Sequence, residues 1–110
     1  MSREADLDPQ DAFDLLRRGE IRMLDVREPH EWANGHPEGA DHLPLGDVTA
    51  DAVPDDRPVL TVCRSGRRSG QAADRLSSTH EVRNVAGGLT AWAEQGLPLV
   101  DDAGQPGTLG

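Results

Sequence analysis

Apolar and polar positions divide the chain into short buried runs alternating with amphipathic stretches. The first helical pattern opens at Asp8-Pro9-Gln10-Asp11, with an N-capping aspartate, proline at the first helical position and acid in the first turn. Ala12, Phe13, Leu15 and Leu16 give that helix an apolar face. Arg17 and Arg18 suit its negative end, and Gly19 can close it. Residues 21–26 are apolar except for Arg22 and Asp25, which predicts a parallel strand covered on both faces.

Residues 28–34 predict a short helix entered at Pro29 and closed by Gly35. Trp32 is expected to plug the core there rather than to stack on a substrate. A glycine- and proline-punctuated connector follows over 35–45, with a short extended piece around His42 and Leu43. Residues 46–58 are polar and acidic, with Asp47, Asp51, Asp55 and Asp56 and a turn or short helix near 48–53. Residues 59–62 then form a buried strand that delivers Cys63 into a tight loop. A helix runs from Ser69 to about residue 77, with Ala72, Ala73 and Leu76 inward and Gln71, Asp74 and Arg75 outward. Residues 82–85 make a further strand. Gly87-Gly88 turns into a last helix with Leu89, Trp92 and Ala93 on one face and Gly96 as its stop. Strands alternating with helices argue an α/β fold with a parallel sheet between helices. Residues 101–110 carry glycine, proline and acid with almost nothing apolar. They are expected to form a disordered tail behind a domain of residues 1–100.

Composition narrows the function classes. A chain of 110 residues fits one domain that buries most of its surface. The net charge of -9 argues against nucleic acid or an anionic membrane as partner. Residues 1–6 hold no apolar run of the signal-peptide kind, and no stretch approaches membrane-spanning length. The single cysteine excludes an internal disulfide and suits a reducing cytoplasm. One cysteine and scattered histidines show no metal-ligand spacing, and no internal repeat or cofactor-binding fingerprint is found. Every basic residue is arginine, and three of the eleven fall within five residues after Cys63. In so acidic a chain that cluster points at an anion.

A free cysteine is often just a small buried apolar residue. Cys63, however, is followed by Arg64-Ser65-Gly66-Arg67-Arg68-Ser69, and a charged glycine loop is poor company for a core residue. A loop closing on a helix N-terminus aims backbone N–H groups and the positive dipole end at one point. Arg64, Arg67 and Arg68 add positive charge, so this thiol is expected to ionise more easily than an ordinary one.

The segment C-R-S-G-R-R-S resembles the active-site loop of the rhodanese sulfurtransferases. Two further segments share the resemblance: Leu24-Asp25-Val26-Arg27-Glu28 with Gly35-His36 and Gly39-Ala40, and Val85-Ala86-Gly87-Gly88-Leu89-Thr90-Ala91-Trp92. Where the family usually has G-H-I-P-G-A, this chain has Gly35-His36-Pro37-Glu38-Gly39-Ala40 and so loses an apolar anchor. The resemblance implies a three-layer α/β domain, with a mostly parallel sheet of about five strands and helices on both faces. It also implies sulfur transfer: Cys63 takes the outer sulfur of thiosulfate or a similar donor as a persulfide and gives it to cyanide or a thiol. Thioredoxin or a sulfur-carrier protein are further acceptors of that kind. The N–H groups of Arg64 to Ser69 would hold the sulfur anion, with Gly66 supplying the backbone freedom. The arginine side chains would steer the donor, at least one of them being merely solvated.

Ser69 serves as helix cap or as donor to the persulfide, the cap being favoured. Asp25 and Arg27, at the carboxyl end of a neighbouring strand, read as support: Asp25 pinning the active loop, Arg27 paired with Glu28, Glu31 or another acid. His36 orients a loop through hydrogen bonds, and His30, His42 and His80 look incidental. Two rivals stand beside this reading. A cysteine phosphatase or arsenate reductase needs an arginine sixth after the cysteine, where this chain has Ser69. A non-catalytic rhodanese-like recognition module commonly lacks the cysteine that this chain keeps.

Overall fold

A computed structural model describes residues 2–53 and 56–109. Met1, Gly110, and Pro54 with Asp55 of the acidic loop lie outside the described residues. Five strands make one parallel sheet in the order β1-β5-β4-β2-β3, where β1 is Ser2–Arg3, β2 Arg22–Asp25, β3 Asp41–His42, β4 Val59–Val62 and β5 Glu81–Asn84. Four of these correspond to the extended segments expected from the apolar pattern. The fifth, β1, has no apolar signature and adds to the open edge of β5. The helices are α1 (Pro9–Arg17), α2 (Pro29–Asn34), α3 (Arg67–Leu76) and α4 (Gly88–Glu94). Of two short 3₁₀ turns, Ala50–Ala52 lies in the region expected to hold a turn or short helix, and Leu45–Asp47 precedes it. Among the described residues no helix is long and apolar enough to cross a membrane.

The sheet separates two apolar layers because successive strand residues point to opposite faces. On one face Leu24, Val26, Val59 and Val82 meet Ala72, Ala73 and Leu76 of α3, together with Val48 and Val53. On the other, Met23, Leu60, Val62 and Val85 meet Ala12 of α1 and Leu89 and Trp92 of α4. Trp92 is wholly buried, meets Phe13 edge-on at 5.7 Å, and satisfies its indole N–H on the Pro98 carbonyl at 3.0 Å. The Asp8 cap forms as its sequence predicts, Oδ2 accepting from the Gln10 N–H at 3.1 Å. The register pairs Asp25 with Val62 and Thr61 with Asn84, so Asp25, Cys63 and Asn84 gather at the carboxyl end of adjacent strands.

Several expectations give way to tertiary contacts. Trp32 does not plug the core: it is half-buried, its ring stacked on His36 at 3.5 Å and on His42 at 5.0 Å. His42 is therefore not incidental, and its Nε2 also lies 2.7 Å from the Arg27 carbonyl. Ala93 is exposed, since α4 is only seven residues long and turns only Leu89 and Trp92 fully inward. Residues 101–109 are not a disordered tail. They fold back through backbone hydrogen bonds, Asp101 N–H to Gln105 O, Gly107 N–H to Leu99 O and Thr108 N–H to Asn34 O, and Leu109 packs on the α1/α4 layer. Gly35 and Gly107 permit the crossing. A Cβ on Gly107 would stand 2.7 Å from Gly35 Cα and 2.8 Å from the Asn34 oxygen.

Candidate active site

Cys63 leaves β4 on the α3 face with its side chain wholly out of solvent. Around the sulfur the backbone turns its donors inward. The Gly66 N–H lies 3.1 Å from Sγ, the Ser69 N–H 3.4 Å and the Ser69 hydroxyl 3.3 Å. Burial pushes the thiol up, but the Ser69 hydroxyl and the amides of Ser69, Gly66 and Ser65 more than offset it, so the thiol sits below its ordinary range. The downward shift has a different leading cause from the one expected: neutral donors rather than arginine charge.

Local sequence explains this geometry. Gly66 stands at φ +98, a left-handed conformation that glycine adopts without strain, and it starts α3 at Arg67 rather than at Ser69. Ser69 is thus inside the helix, not its cap, which frees its hydroxyl for the sulfur. The N–H groups of Arg67 and Arg68, in the first turn, bond to no backbone acceptor among the described residues. From the other side α4 braces the loop. Leu89 N–H donates to the Cys63 carbonyl at 2.8 Å and Thr90 N–H to that of Arg64 at 2.9 Å. A Cβ on Gly88 would stand 2.5 Å from the first oxygen and 2.6 Å from the second, so only glycine fits. With those carbonyls drawn toward α4, the amides that follow are left for the sulfur.

The three loop arginines separate. Arg68 forks onto Glu31 of α2 at 2.7 and 3.0 Å, and its hydrogen bonds hold the Glu31 carboxyl down at about 2. Arg64 donates to the Leu109 carbonyl at 3.0 Å. The Arg67 side chain is exposed and has no partner among the described residues. Ser65, also exposed, contributes its amide.

Asp25 and Arg27 are both buried and bonded to each other, Nε to Oδ1 at 2.9 Å and an Nη to Oδ2 at 2.7 Å. Arg27 also donates to the carbonyls of Gly35 at 2.6 Å and Glu31 at 3.3 Å. Asp25 therefore pins Arg27, and Arg27 pins α2; the expectation that Asp25 holds the active loop is corrected, and the acid that pairs with Arg27, expected as Glu28, Glu31 or another, is Asp25. His36 does bond through its ring, Nδ1 to the Trp32 carbonyl at 2.8 Å.

Two residues join the site that pattern reading passes over. Thr61 donates from Oγ1 to the Ser69 carbonyl at 2.8 Å, and Asn84 meets the Ser69 hydroxyl at 2.5 Å. The available signal is a polar side chain at an inward position of a strand: threonine in the otherwise apolar V-L-T-V and asparagine two residues after Val82 in E-V-R-N.

A parallel α/β sheet with a cysteine loop closing on a helix N-terminus defines a class of thiol-centred sites at the carboxyl end of a sheet. This chain belongs to the rhodanese-like domain family, whose model matches residues 8–95. It is 38% identical over 89 residues to a protein of Allochromatium vinosum named as a sulfurtransferase, covering 77% of this chain and 83% of that one. A solved rhodanese-related protein from Thermoplasma volcanium superposes with a TM-score of 0.80 at 26% identity, over 88% of this chain and 98% of that one. A Rhodopseudomonas palustris structure of unknown function, titled a possible tyrosine phosphatase, gives a TM-score of 0.75 at 25% identity, over 86% and 83% of the two chains. Some curated relatives are longer: this chain spans 57% of one and 60% of another.

Proposed function

We propose that this chain is a sulfurtransferase that loads the outer sulfur of thiosulfate onto Cys63 and hands it to a thiophilic acceptor. The thiolate attacks that sulfur, a new S–S bond forms, the old one breaks, and sulfite leaves with the bonding electrons. One negative charge is thereby carried from Sγ to the outer sulfur of a persulfide. Cyanide or a thiol then attacks the outer sulfur and regenerates the Cys63 thiolate. The observation that carries this reading is the ring of inward N–H groups on Sγ, with the Arg67 and Arg68 amides still free to take an anion one atom further out. Arg67 is the uncommitted side chain of the loop and is assigned the steering of an anionic donor. Asp25 and Arg27 act as support through α2. Thioredoxin or a sulfur-carrier protein are acceptors of suitable chemistry, and a single free thiol suits a reducing cytoplasm.

Phosphate-ester hydrolysis, the reading the Rhodopseudomonas neighbour's title raises, lacks its oxyanion-gripping arginine here: the sixth residue after Cys63 is Ser69, turned to the sulfur. One experiment separates these. Wild type and Cys63→Ser are incubated with thiosulfate and weighed intact. Wild type is expected to gain one sulfur atom, discharged by cyanide as thiocyanate, and the variant none. A folded wild type that gains nothing overturns the reading. Aryl phosphate hydrolysis in its place favours a phosphatase, and neither activity favours a recognition module.

A further inference from the structure

Asn84 ends β5 and is 3% exposed, opposite Thr61 in the register. Its Nδ2 donates to the Gly66 carbonyl at 3.0 Å, which fixes the orientation of the amide and turns Oδ1 to the Ser69 hydroxyl at 2.5 Å. Two oxygens at that separation need a proton between them, and only the serine has one. The same hydroxyl stands 3.3 Å from Cys63 Sγ. One proton cannot serve both acceptors.

We propose that Asn84 is a positioning residue that competes with the Cys63 sulfur for the Ser69 proton and so favours the states in which Sγ carries no charge. In the thiol state, S–H donates to Ser69 Oγ and Ser69 donates to Asn84. In the thiolate state the serine proton must turn to sulfur, which leaves two bare oxygens facing each other at Asn84. In the persulfide the charge has moved to the outer sulfur, Sγ is a neutral divalent atom, and the serine proton returns to Asn84. The asparagine therefore weights the loaded enzyme over the free thiolate. Its last step rests on the sulfur-transfer reading; the competition for the proton does not.

Of the charged groups around the relay, Arg64 and Arg67 of the loop are exposed, Arg64 meeting the Leu109 carbonyl, and the others are paired. Arg68 of α3 is held by Glu31, and Asp25 at the end of β2 by Arg27. Arg3 of β1, bonded to Asp74 at 2.9 Å and near Asp6 at 3.7 Å, reaches Gly70, where its Nη2 and the Asn84 Nδ2 both lie 3.8 Å from the position a Cβ would take. Arg83, beside Asn84, alternates to the other face of β5. A substitution at Asn84 leaves all of these pairs in place.

The test is the rate of iodoacetamide alkylation against pH for wild type, Asn84→Leu, Ser69→Ala and the double variant, with far-UV circular dichroism on each. Leucine keeps the branched shape and removes the acceptor, and Asn84→Ala serves if leucine does not fold. Asn84→Leu is expected to move the alkylation midpoint down by about one pH unit, a tenfold change in the ionisation constant. In the Ser69→Ala background the same substitution is expected to move it by nothing measurable. The persulfide-to-thiolate ratio at fixed thiosulfate and sulfite should fall about tenfold in Asn84→Leu. Equal shifts in both backgrounds, or an upward shift, would overturn the inference, even where wild type still loads sulfur. A coupled shift in a protein that takes no sulfur from thiosulfate supports the proton competition and overturns the donor assignment instead.

Discussion

Two groups able to carry negative charge lie one strand apart in this domain, and they are held in opposite ways. The Asp25 carboxylate is neutralised by a full positive charge, the Arg27 guanidinium, at 2.7 Å. The Cys63 sulfur faces neutral donors, the amides of Gly66 and Ser69 and the Ser69 hydroxyl. A fixed cation on the sulfur would ionise it further but also blunt it, since nucleophilicity falls with basicity. Dipoles can instead be shared between an anion on Sγ and one displaced outward by a sulfur atom. The ion pair is a bolt and the amide ring is a cradle: one resists movement of charge, the other accommodates it.

Breaking the bolt gives the largest expected change in stability. Asp25→Asn keeps the shape but leaves Arg27 buried without its counter-charge, a loss of roughly 3–5 kcal/mol. Urea unfolding at neutral pH measures it. The fraction that stays folded at low urea should still load sulfur, because its donors come from the loop and α3. Unchanged stability, or a folded variant that cannot take sulfur, would erase the division of labour between the two sites.

The brace behind the cradle comes next. Alanine at Gly88 would drive Cβ against the Cys63 and Arg64 carbonyls and hold a non-glycine residue at φ +61. Together these cost roughly 1–3 kcal/mol. As the N-terminal turn of α4 retreats, the loop loses two of its anchors, and the Cys63 alkylation midpoint should rise. Gly96→Ala supplies the control. That residue has φ +75 and open space around it, so it carries the backbone strain without the clash and should leave the thiol unmoved. A thiol shift of the same size in both variants would mean that α4 does not set the loop.

How far the sequence reveals this arrangement depends on whether the cause is local. The Asp8-Pro9 helix start and the apolar run of β4 are written in neighbouring residues, and they fold as read. The start of α3 shifts by two residues because Gly66 adopts a left-handed angle that composition permits but does not demand. Trp32 looks like core because tryptophan usually is. Its stack with His36 and His42 exists only once three separate segments converge. Residues 101–109 look disordered by composition because what holds much of them is backbone hydrogen bonding, which leaves no trace in side-chain type. Asn84 is the instructive miss: a polar residue in a buried strand gives notice of a partner without saying which.

The smallest effect is expected at a third ion pair, the partly exposed counterpart of the bolt. Glu31 accepts from Arg68 and from the Glu28 N–H at 3.0 Å, and its carboxyl titrates at about 2 instead of 4.5. A group whose folded value is depressed binds fewer protons folded than unfolded. Its contribution is complete above about pH 4.5 and disappears as pH falls toward 2. Water screens this pair, with the Arg68 side chain 34% exposed, so its worth is about 0.5–1 kcal/mol rather than what the titration shift alone would suggest. Glu31→Gln should therefore lower the urea midpoint slightly at pH 7, with the gap to wild type closing as pH approaches 2. The Cys63 alkylation midpoint should stay within a few tenths of a pH unit, since neutral donors hold that sulfur. A large downward move on freeing Arg68 would reassign the cradle to charge and make the two sites variants of one device.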